Sequence, residues 1–290
     1  MYLGSLDFGA PDHRAGPVPT ATGCNWTVIV PFFNERALIE TTLAGLAAQD
    51  VPFVLILVDN GSTDGSGAVA SRACRRLGMP FTLVVERRSG KVNALAAGVA
   101  LTRTRFVATC DADTQYPADY LRQAGVLLDR GAVAAGAFFV APGAGAEDRT
   151  RAARRILRAA KLLPAQCHTG GAGQVFRTET LRRVGAFDPR RGGYVLEDHE
   201  ILHQIVKHGS IAYGDAFWCT PAPRDRDRAS IRWTLIERLA YHLTPRPARD
   251  WFFYSFLAGR LHKRGLTSDR IRETPFQGGF EPLVEERLAA

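Results

Sequence analysis

Thr27-Val28-Ile29-Val30-Pro31 and Val54-Leu55-Ile56-Leu57-Val58 are unbroken apolar runs with no polar alternation, the pattern of strands covered on both faces. Between them Leu38, Leu43, Leu46 and Ala47 recur at near-helical spacing and predict a helix over 35–49. The same rhythm continues with a helix over 68–77, a strand over 81–85, a helix over 93–101 and a fourth strand over 105–110. Strand and helix in regular turn imply a parallel sheet with right-handed crossovers, whose ligands bind beyond the carboxyl ends of the strands. The loops after Pro31, at Asp59 and at Asp111 all fall there.

The rhythm loosens after Leu127. A strand over 131–140, a strongly basic helix over 148–163 and a flexible glycine turn over 170–173 leading to Gln174-Val175-Phe176 are predicted. Helices over 178–184 and 198–208 follow. Beyond Pro221 the chain turns to Arg, Asp and Pro, then to aromatic segments around Trp233 and over 251–256.

Composition narrows the class without choosing a function. The 290 residues are 46% hydrophobic and 23% charged, as in ordinary globular proteins. A net charge of +8 favours anionic partners, which include nucleic acid, an anionic membrane and phosphorylated substrates. No nucleic-acid-binding module accompanies that charge, so nucleic acid is not expected as a partner. Cys24, Cys74, Cys110, Cys167 and Cys219 are scattered and form no C-x-x-C pair, which fits free thiols in a reducing cytoplasm. His168, His199 and His203 do not complete a zinc set with them. Residues 1–19 carry Asp7 and Asp12 and lack the basic start and apolar run of a signal peptide. No segment reaches the roughly 18 apolar residues of a membrane span. A cytoplasmic protein is expected, touching a membrane, if at all, from outside.

Asp111-Ala112-Asp113 follows the fourth strand, and alternation along an extended backbone lets both carboxylates face one way. Paired hard oxygens suit Mg²⁺ or Mn²⁺; they equally suit a solvated acidic turn. Order in the chain adds information. Val30-Pro31-Phe32-Phe33-Asn34-Glu35, then Asp59-Asn60-Gly61-Ser62-Thr63-Asp64, then Asp111-Ala112-Asp113, then Glu197-Asp198 near Gly193 resemble the inverting family-2 glycosyltransferases of GT-A fold, over roughly residues 27–208.

The resemblance implies an α/β fold of GT-A type, a Rossmann-like mixed sheet flanked by helices and followed by a helical C-terminal extension. It divides the chain into an N-terminal segment (1–24), a catalytic domain (25–222) with a nucleotide-binding half (25–127) and an acceptor half (128–222), and an extension (223–290). It places Pro31, Phe33 and Glu35 in the motif that meets the donor's base, with the Phe33 ring suited to stacking. A core position is the alternative for Phe33, since Phe32 and Phe33 point to opposite faces. Asn34 and Glu35 can cap the helix that follows.

Asp59 corresponds to the base-recognising acid, and many relatives carry a second acid where this chain has Asn60. Ser62, Thr63 and Asp64 read as turn and N-cap residues. Lys91, in a Gly-Lys segment, corresponds to a residue that neutralises donor phosphate, while Arg87 and Arg88 read as solvated. Asp113 and Asp111 would hold Mn²⁺ or Mg²⁺, and Asp111 with Ala112 would meet the ribose side of the donor. Gly171 belongs to a loop lining the sugar pocket, Asp198 to the general-base position, and Glu197 to an orienting role.

Expected partners are a nucleotide-sugar donor, with UDP favoured, and a glycan, lipid-linked or small-molecule acceptor. Arg224 to Arg228 and Arg232-Trp233 partly match the Arg-Trp motif of processive synthases, without its preceding glutamine. One of these arginines could clamp diphosphate; a charge-alternating loop fits as well. The aromatic and basic stretch 233–264 suits a peripheral membrane contact, or a packed core with a basic rim. The rival functions are a sugar-nucleotide-forming nucleotidyltransferase, which would carry a glycine-rich basic loop in place of Phe32-Phe33-Asn34-Glu35, and a non-catalytic nucleotide-sugar-binding protein.

Overall fold

Strand β1 (Trp26–Phe32) is buried along its whole length because each face meets its own layer of helices. Its alternate residues Trp26, Val28, Val30 and Phe32 enter one core cluster, and Ile29 enters the other. β2 (Phe53–Asp59) divides in the same way, Leu55 and Leu57 to the first cluster, Val54, Ile56 and Val58 to the second. That two-sided burial is why both strands read as continuous apolar runs. The computed structural model describes residues 23–192, 194, 197–223 and 233–267.

Helices α1 (Ile39–Ala47), α2 (Ser66–Arg76) and α4 (Tyr120–Asp129) cover one face. The other is covered by α3 (Lys91–Leu101), α5 (Ala146–Leu162), α6 (Thr178–Arg183) and, after the short helix α7 (Pro189–Gly192), α8 (Glu197–Ile205). Gly98 of α3 lies flat on β1, where an added Cβ would stand 2.5 Å from Ile29 Cγ2. The close approach brings the start of α3 down to the mouth of the sheet.

Strands β3 (Phe81–Val85), β4 (Phe106–Thr109), β5 (Thr114–Gln115), β6 (Ala134–Phe139), β7 (Gln174–Arg177) and β8 (Ile211–Pro221) complete the order β3-β2-β1-β4-β7-β6-β8-β5. The first half is parallel. β7 is antiparallel to both β4 and β6, so the sheet is mixed, as the family resemblance implies and the strand–helix rhythm alone did not. β8 runs parallel to β6 with a register break between Gly136 and Phe138, then pairs antiparallel with β5, Thr114 opposite Pro221. The late strand therefore returns to brace the chain just after Asp113.

Several expectations shift. α1 begins at Ile39 rather than 35, and no side chain caps it. Asn34 adopts φ 54°, and it and Glu35 turn toward the neighbouring loop instead of capping α1. α3 starts at Lys91, two residues early, because Gly90 at φ 119° lets the chain turn directly into the helix. α4, β5 and β8 were not predicted. The helical spacing of Tyr120, Leu121, Ala124 and Leu128 and the alternation of Ile211, Tyr213, Phe217 and Cys219 were nonetheless present. Residues 1–22, Gly193, Arg224 to Arg228, Ile231-Arg232 and 268–290, for which the sequence also raised expectations, lie outside the described residues.

The last elements are α9 (Leu235–Leu243) and a helical stretch 249–263, α10, interrupted by a π-helical turn over Phe252–Leu257. Tyr241, Phe252, Phe253, Leu257 and Leu261 pack together with Trp233, so much of the aromatic stretch is core. Thr234 and Glu237 form a capping box at the start of α9. The buried Glu237 carboxylate also accepts from Arg260 (3.0 Å) and Arg264 (3.1 Å). Burial works to raise its pKa, but the Thr234 amide, Arg260 and Arg264 outweigh it and hold it below the usual glutamate value.

That depression adds stability at pH above about 4.3, the ordinary glutamate value, and the contribution is lost as pH falls through the lower folded value. Glu237→Gln is expected to cost about 2 kcal/mol at pH 7, in line with charged hydrogen bonds, and the difference from wild type should shrink on acidification. Urea melts at pH 7 and pH 3 check it; an equal gap at both pH values would contradict the assignment.

Candidate active site

The carboxyl ends of β1, β2 and β4 meet the glycine turn before β7 and the start of α8, and the charged side chains converge there. Lys91 Nζ lies 2.6 Å from Asp111 Oδ1 and 3.4 Å from Glu197 Oε1. Gly171 lies directly against them, and a Cβ there would sit 3.1 Å from Lys91 Nζ and 3.7 Å from both Glu197 Oε1 and Asp198 Cβ. A Cβ there would push the ammonium aside by a few tenths of an ångström. Lys91, Asp111, Gly171, Glu197 and Asp198, scattered over more than a hundred positions of chain, thus form one cluster.

Charge balance explains the arrangement. Burial works to lower the Lys91 pKa, but Asp111, Glu197 and Asp198 surround it and hold the ammonium above its ordinary value. The Glu197 carboxyl moves up, chiefly through burial and further through the charge of Asp198, with Lys91 opposing. Asp198 is partly buried, its Oδ1 accepts from the His199 amide at 2.8 Å, and its main-chain oxygen accepts from Gln174 Nε2 at 3.0 Å. Its other carboxylate oxygen lies toward Gly170, over which the Phe139 ring packs.

The acidic triplet is fixed through its backbone, which leaves its carboxylates to the mouth. The Tyr116 hydroxyl accepts from the Asp111 amide (2.8 Å) and donates to Ala172 O (3.0 Å). Thr42 donates to Ala112 O and the Ala222 amide to Asp113 O. Asp113 Oδ1 accepts from the Thr114 hydroxyl. The turn over 170–173, predicted as flexible, is a buried 3₁₀ turn (Gly171–Gly173) braced by the Tyr116 bond and by Thr109 Oγ1 at 3.1 Å from Gly171 O. Burial of its carbonyls demands such partners.

At the ends of β1 and β2, Phe32 is core and Phe33 is half-exposed, as the opposite-face rule required. Pro31 is a buried member of β1, paired with Val58. Asp59 Oδ1 accepts from the Ser62 amide (2.8 Å), closing its own turn, while Oδ2 faces Gly67. The two loops are stitched together: Ser66 Oγ accepts from the Glu35 amide, Asp64 from the Arg36 amide, and Asn34 Oδ1 from the Thr63 amide. Ser62, Thr63 and Asp64 thus tie one loop to the next, beyond the local turn role predicted for them.

Asp111 and Asp113 supply the kind of hard oxygens Mg²⁺ or Mn²⁺ takes. Among the described residues no group of three or more His, Cys, Asp or Glu side chains is placed to hold a metal ion. Two carboxylates fit an ion whose shell is completed by water and substrate phosphates, as is usual for magnesium. The histidines serve elsewhere: His203 stacks on Phe253 and bonds Asp250, His199 lies beside Trp233, and His168 bonds Leu163 O.

Residues 27–187 match the family described as glycosyl transferase family 2, which is more than half of the chain. The chain belongs to that family. The chain is 28% identical over 251 residues to the uncharacterized glycosyltransferase YaiP of Escherichia coli (strain K12), covering 83% of this chain and 59% of YaiP. It is 33% identical over 110 residues to the undecaprenyl-phosphate 4-deoxy-4-formamido-L-arabinose transferase of Pseudomonas syringae pv. syringae, 36% of this chain and 33% of that protein. The chain thus spans less than two thirds of either relative. The structure of the mannosyltransferase PcManGT from Pyrobaculum calidifontis, in complex with GDP-Man and Mn²⁺, superposes with a TM-score of 0.59 at 25% identity, covering 87% of this chain and 71% of that one. The GT-A fold is therefore established.

In this family member Asn60, passed over in the sequence as a neutral replacement for an acid, organises the approach to Lys91. Buried, it donates to Glu86 O and Arg88 O, both at 2.8 Å, and accepts from the Gly90 amide at 3.1 Å. An aspartate has no donor for those carbonyls. Arg88, expected to be solvated, pairs two-pronged with buried Glu86 in the same loop. Burial acts to raise the Glu86 pKa, and Arg88 outweighs it, leaving the carboxyl below its usual value. The amide's ability both to donate and to accept was the available signal.

Asn60→Asp is expected to lower stability by about 3 kcal/mol, since it strands two carbonyls and faces them with charge. Thermal denaturation measures this, and unchanged stability would show that the loop holds itself without Asn60.

Proposed function

We propose that this enzyme is a metal-dependent, inverting glycosyltransferase that moves a sugar from a nucleoside-diphosphate sugar to an acceptor hydroxyl. The observation that carries the proposal is the convergence of Lys91, Asp111, Gly171, Glu197 and Asp198 at one mouth, with a carboxylate opposite a diphosphate-compatible ammonium. Phe33 and Asp59 would receive the base, the ring by stacking and Asp59 by accepting from a ring N–H. Pro31 and Glu35 shape that pocket. UDP sugars are the preferred donors, and the GDP-Man bound by PcManGT keeps GDP beside them.

Lys91 lies where it could transfer its ion pair from Asp111 to donor phosphate, and Asp111 with Ala112 would meet the ribose side. Asp113 and Asp111 are the residues that would hold Mn²⁺ or Mg²⁺; the ion, when bound, neutralises the departing diphosphate. Asp198 takes the acceptor proton as the hydroxyl oxygen bonds to the anomeric carbon, while the bond from that carbon to the donor phosphate breaks and its electron pair leaves with the diphosphate. Attack from the face opposite the leaving group inverts the centre. Glu197, raised by burial, orients Lys91 and the donor sugar. Acceptor classes consistent with the site are glycans, lipid-linked hydroxyls and small molecules, in a reducing cytoplasm that suits five free thiols.

Two measurements test the proposal. Asp198→Asn should retain donor binding and lose about 10²- to 10⁴-fold in transfer rate, the usual range for a general base; transfer at the wild-type rate would remove Asp198 from the mechanism. Nucleotide-sugars with Mn²⁺ should raise the melting temperature of the wild type and fail to do so for Asp113→Ala. Equal stabilisation of both proteins would exclude Asp113 as a metal ligand.

A further inference from the structure

Helix α9 has two faces of opposite character. Its inner face carries Glu237, bound to Arg260 and Arg264, and Tyr241, whose hydroxyl accepts from the Cys167 amide at 3.0 Å. Its outer face presents Leu235, Ile236, Leu239 and Leu243, between 57% and 82% exposed. The spacing 235, 239, 243 with 236 alongside makes one continuous stripe. An exposed stripe of large aliphatic side chains marks a binding surface, since single exposed leucines scatter rather than align.

The surroundings are basic. Arg238, His242 and Arg246 are exposed on or just after the same helix, and no acidic side chain of α9 faces outward, because Glu237 is turned in. The end of α5 joins this surface. His242 Nδ1 lies 2.9 Å from Gln166 Oε1, and Arg249 donates to Ala165 O, in the turn that follows α5. There Arg158 and Lys161 are exposed and Leu162 is 79% exposed. Trp251, also largely exposed, stands at the start of α10.

Aliphatic stripe, flanking cations and an exposed indole, packed on one side by Phe256, are the chemistry of a helix lying in the plane of an anionic bilayer. A water-soluble protein partner would be met by a stripe rimmed with mixed charge; here the rim on α9 is of one sign. Among the described residues no helix is long and apolar enough to cross a membrane. We propose that α9, with the end of α5, docks this enzyme on the surface of an anionic lipid membrane.

The position has a consequence for reach. Tyr241 on the inner face lies beside the His199 ring, 5.8 Å between centroids, and His199 follows Asp198. A membrane against the outer face of α9 therefore stands about one helix diameter, roughly 10 Å, from the elements that carry the proposed base. An acceptor group held at lipid headgroups falls within that distance. The docking surface itself does not depend on the transfer mechanism.

Flotation of the full chain with phosphatidylcholine vesicles, with and without phosphatidylglycerol, tests the proposal without donor or acceptor, so its failure leaves the transfer mechanism untouched. Binding is expected to vesicles containing phosphatidylglycerol, weakened by salt, with Trp251 fluorescence quenched by brominated lipid. The combined Leu235→Ser, Leu239→Ser and Leu243→Ser variant should melt like wild type, because these side chains are exposed, and bind at least about tenfold more weakly, equivalent to 1.4 kcal/mol. Absence of binding, or equal binding by variant and wild type, overturns the proposal. So does a concentration-dependent dimer that the variant abolishes while vesicle binding is absent, which would make a second copy the occupant. Cross-linking of α9 to residues 268–290 of the same chain, without vesicle binding, would assign the stripe to the chain's own tail.

Discussion

The Lys91 ammonium is the counter-charge on which the mouth of this sheet depends. Asp111 comes from one part of the chain and the neighbours Glu197 and Asp198 from another, and gathering carboxylates in a partly buried cleft is unfavourable unless a cation stands among them. Lys91 is placed by a sequence of constraints. Gly98 lets α3 lie flat on β1, Gly90 turns the chain into the helix at positive φ, and Asn60 holds the loop before it. Gly171, by having no side chain, leaves the ammonium room to reach both acids.

The same mouth is braced from behind by the second half of the molecule. Tyr116 joins the amide of Asp111 to the glycine turn, and β8 crosses back to pair with β5 immediately after Asp113. The loops after β1 and β2 are stitched to one another through Asn34, Ser62, Asp64 and Ser66. Rigid loops on a rigid sheet hold charged groups at fixed separation, and that preorganisation is what charge stabilisation in a transfer reaction requires. The C-terminal helices extend the scaffold: α9 packs one face beside His199 and leaves the other to its surroundings.

Legibility in the sequence followed the range of the interactions. The buried strands, α2, α3, α5 and α8 showed themselves because burial on one or two faces imposes a local period. The position of Phe33 also followed from alternation alone. α1 was predicted too long because Arg36 is bound by Asp64, a residue of another loop. Asn60 was passed over because its hydrogen-bond partners lie 26 to 30 positions away, and a polar residue in a loop carries no sign of burial. Arg88 was read as solvated and is exposed; its pairing with Glu86 stayed hidden because Glu86 is buried only by the fold.

By itself the sequence determined the family, the alternation of strand and helix, and the identity of the acidic, basic and aromatic residues available for chemistry, since these are properties of residue type and local spacing. Tertiary structure alone decided that Lys91 joins Asp111 to Glu197 and that β7 enters the sheet in reverse. It also decided that Glu237 turns inward while four aliphatic side chains of the same helix face out. Each of those outcomes rests on contacts between distant segments, where the favourable partner is chosen by packing and electrostatics in the folded chain and leaves no periodic mark along it.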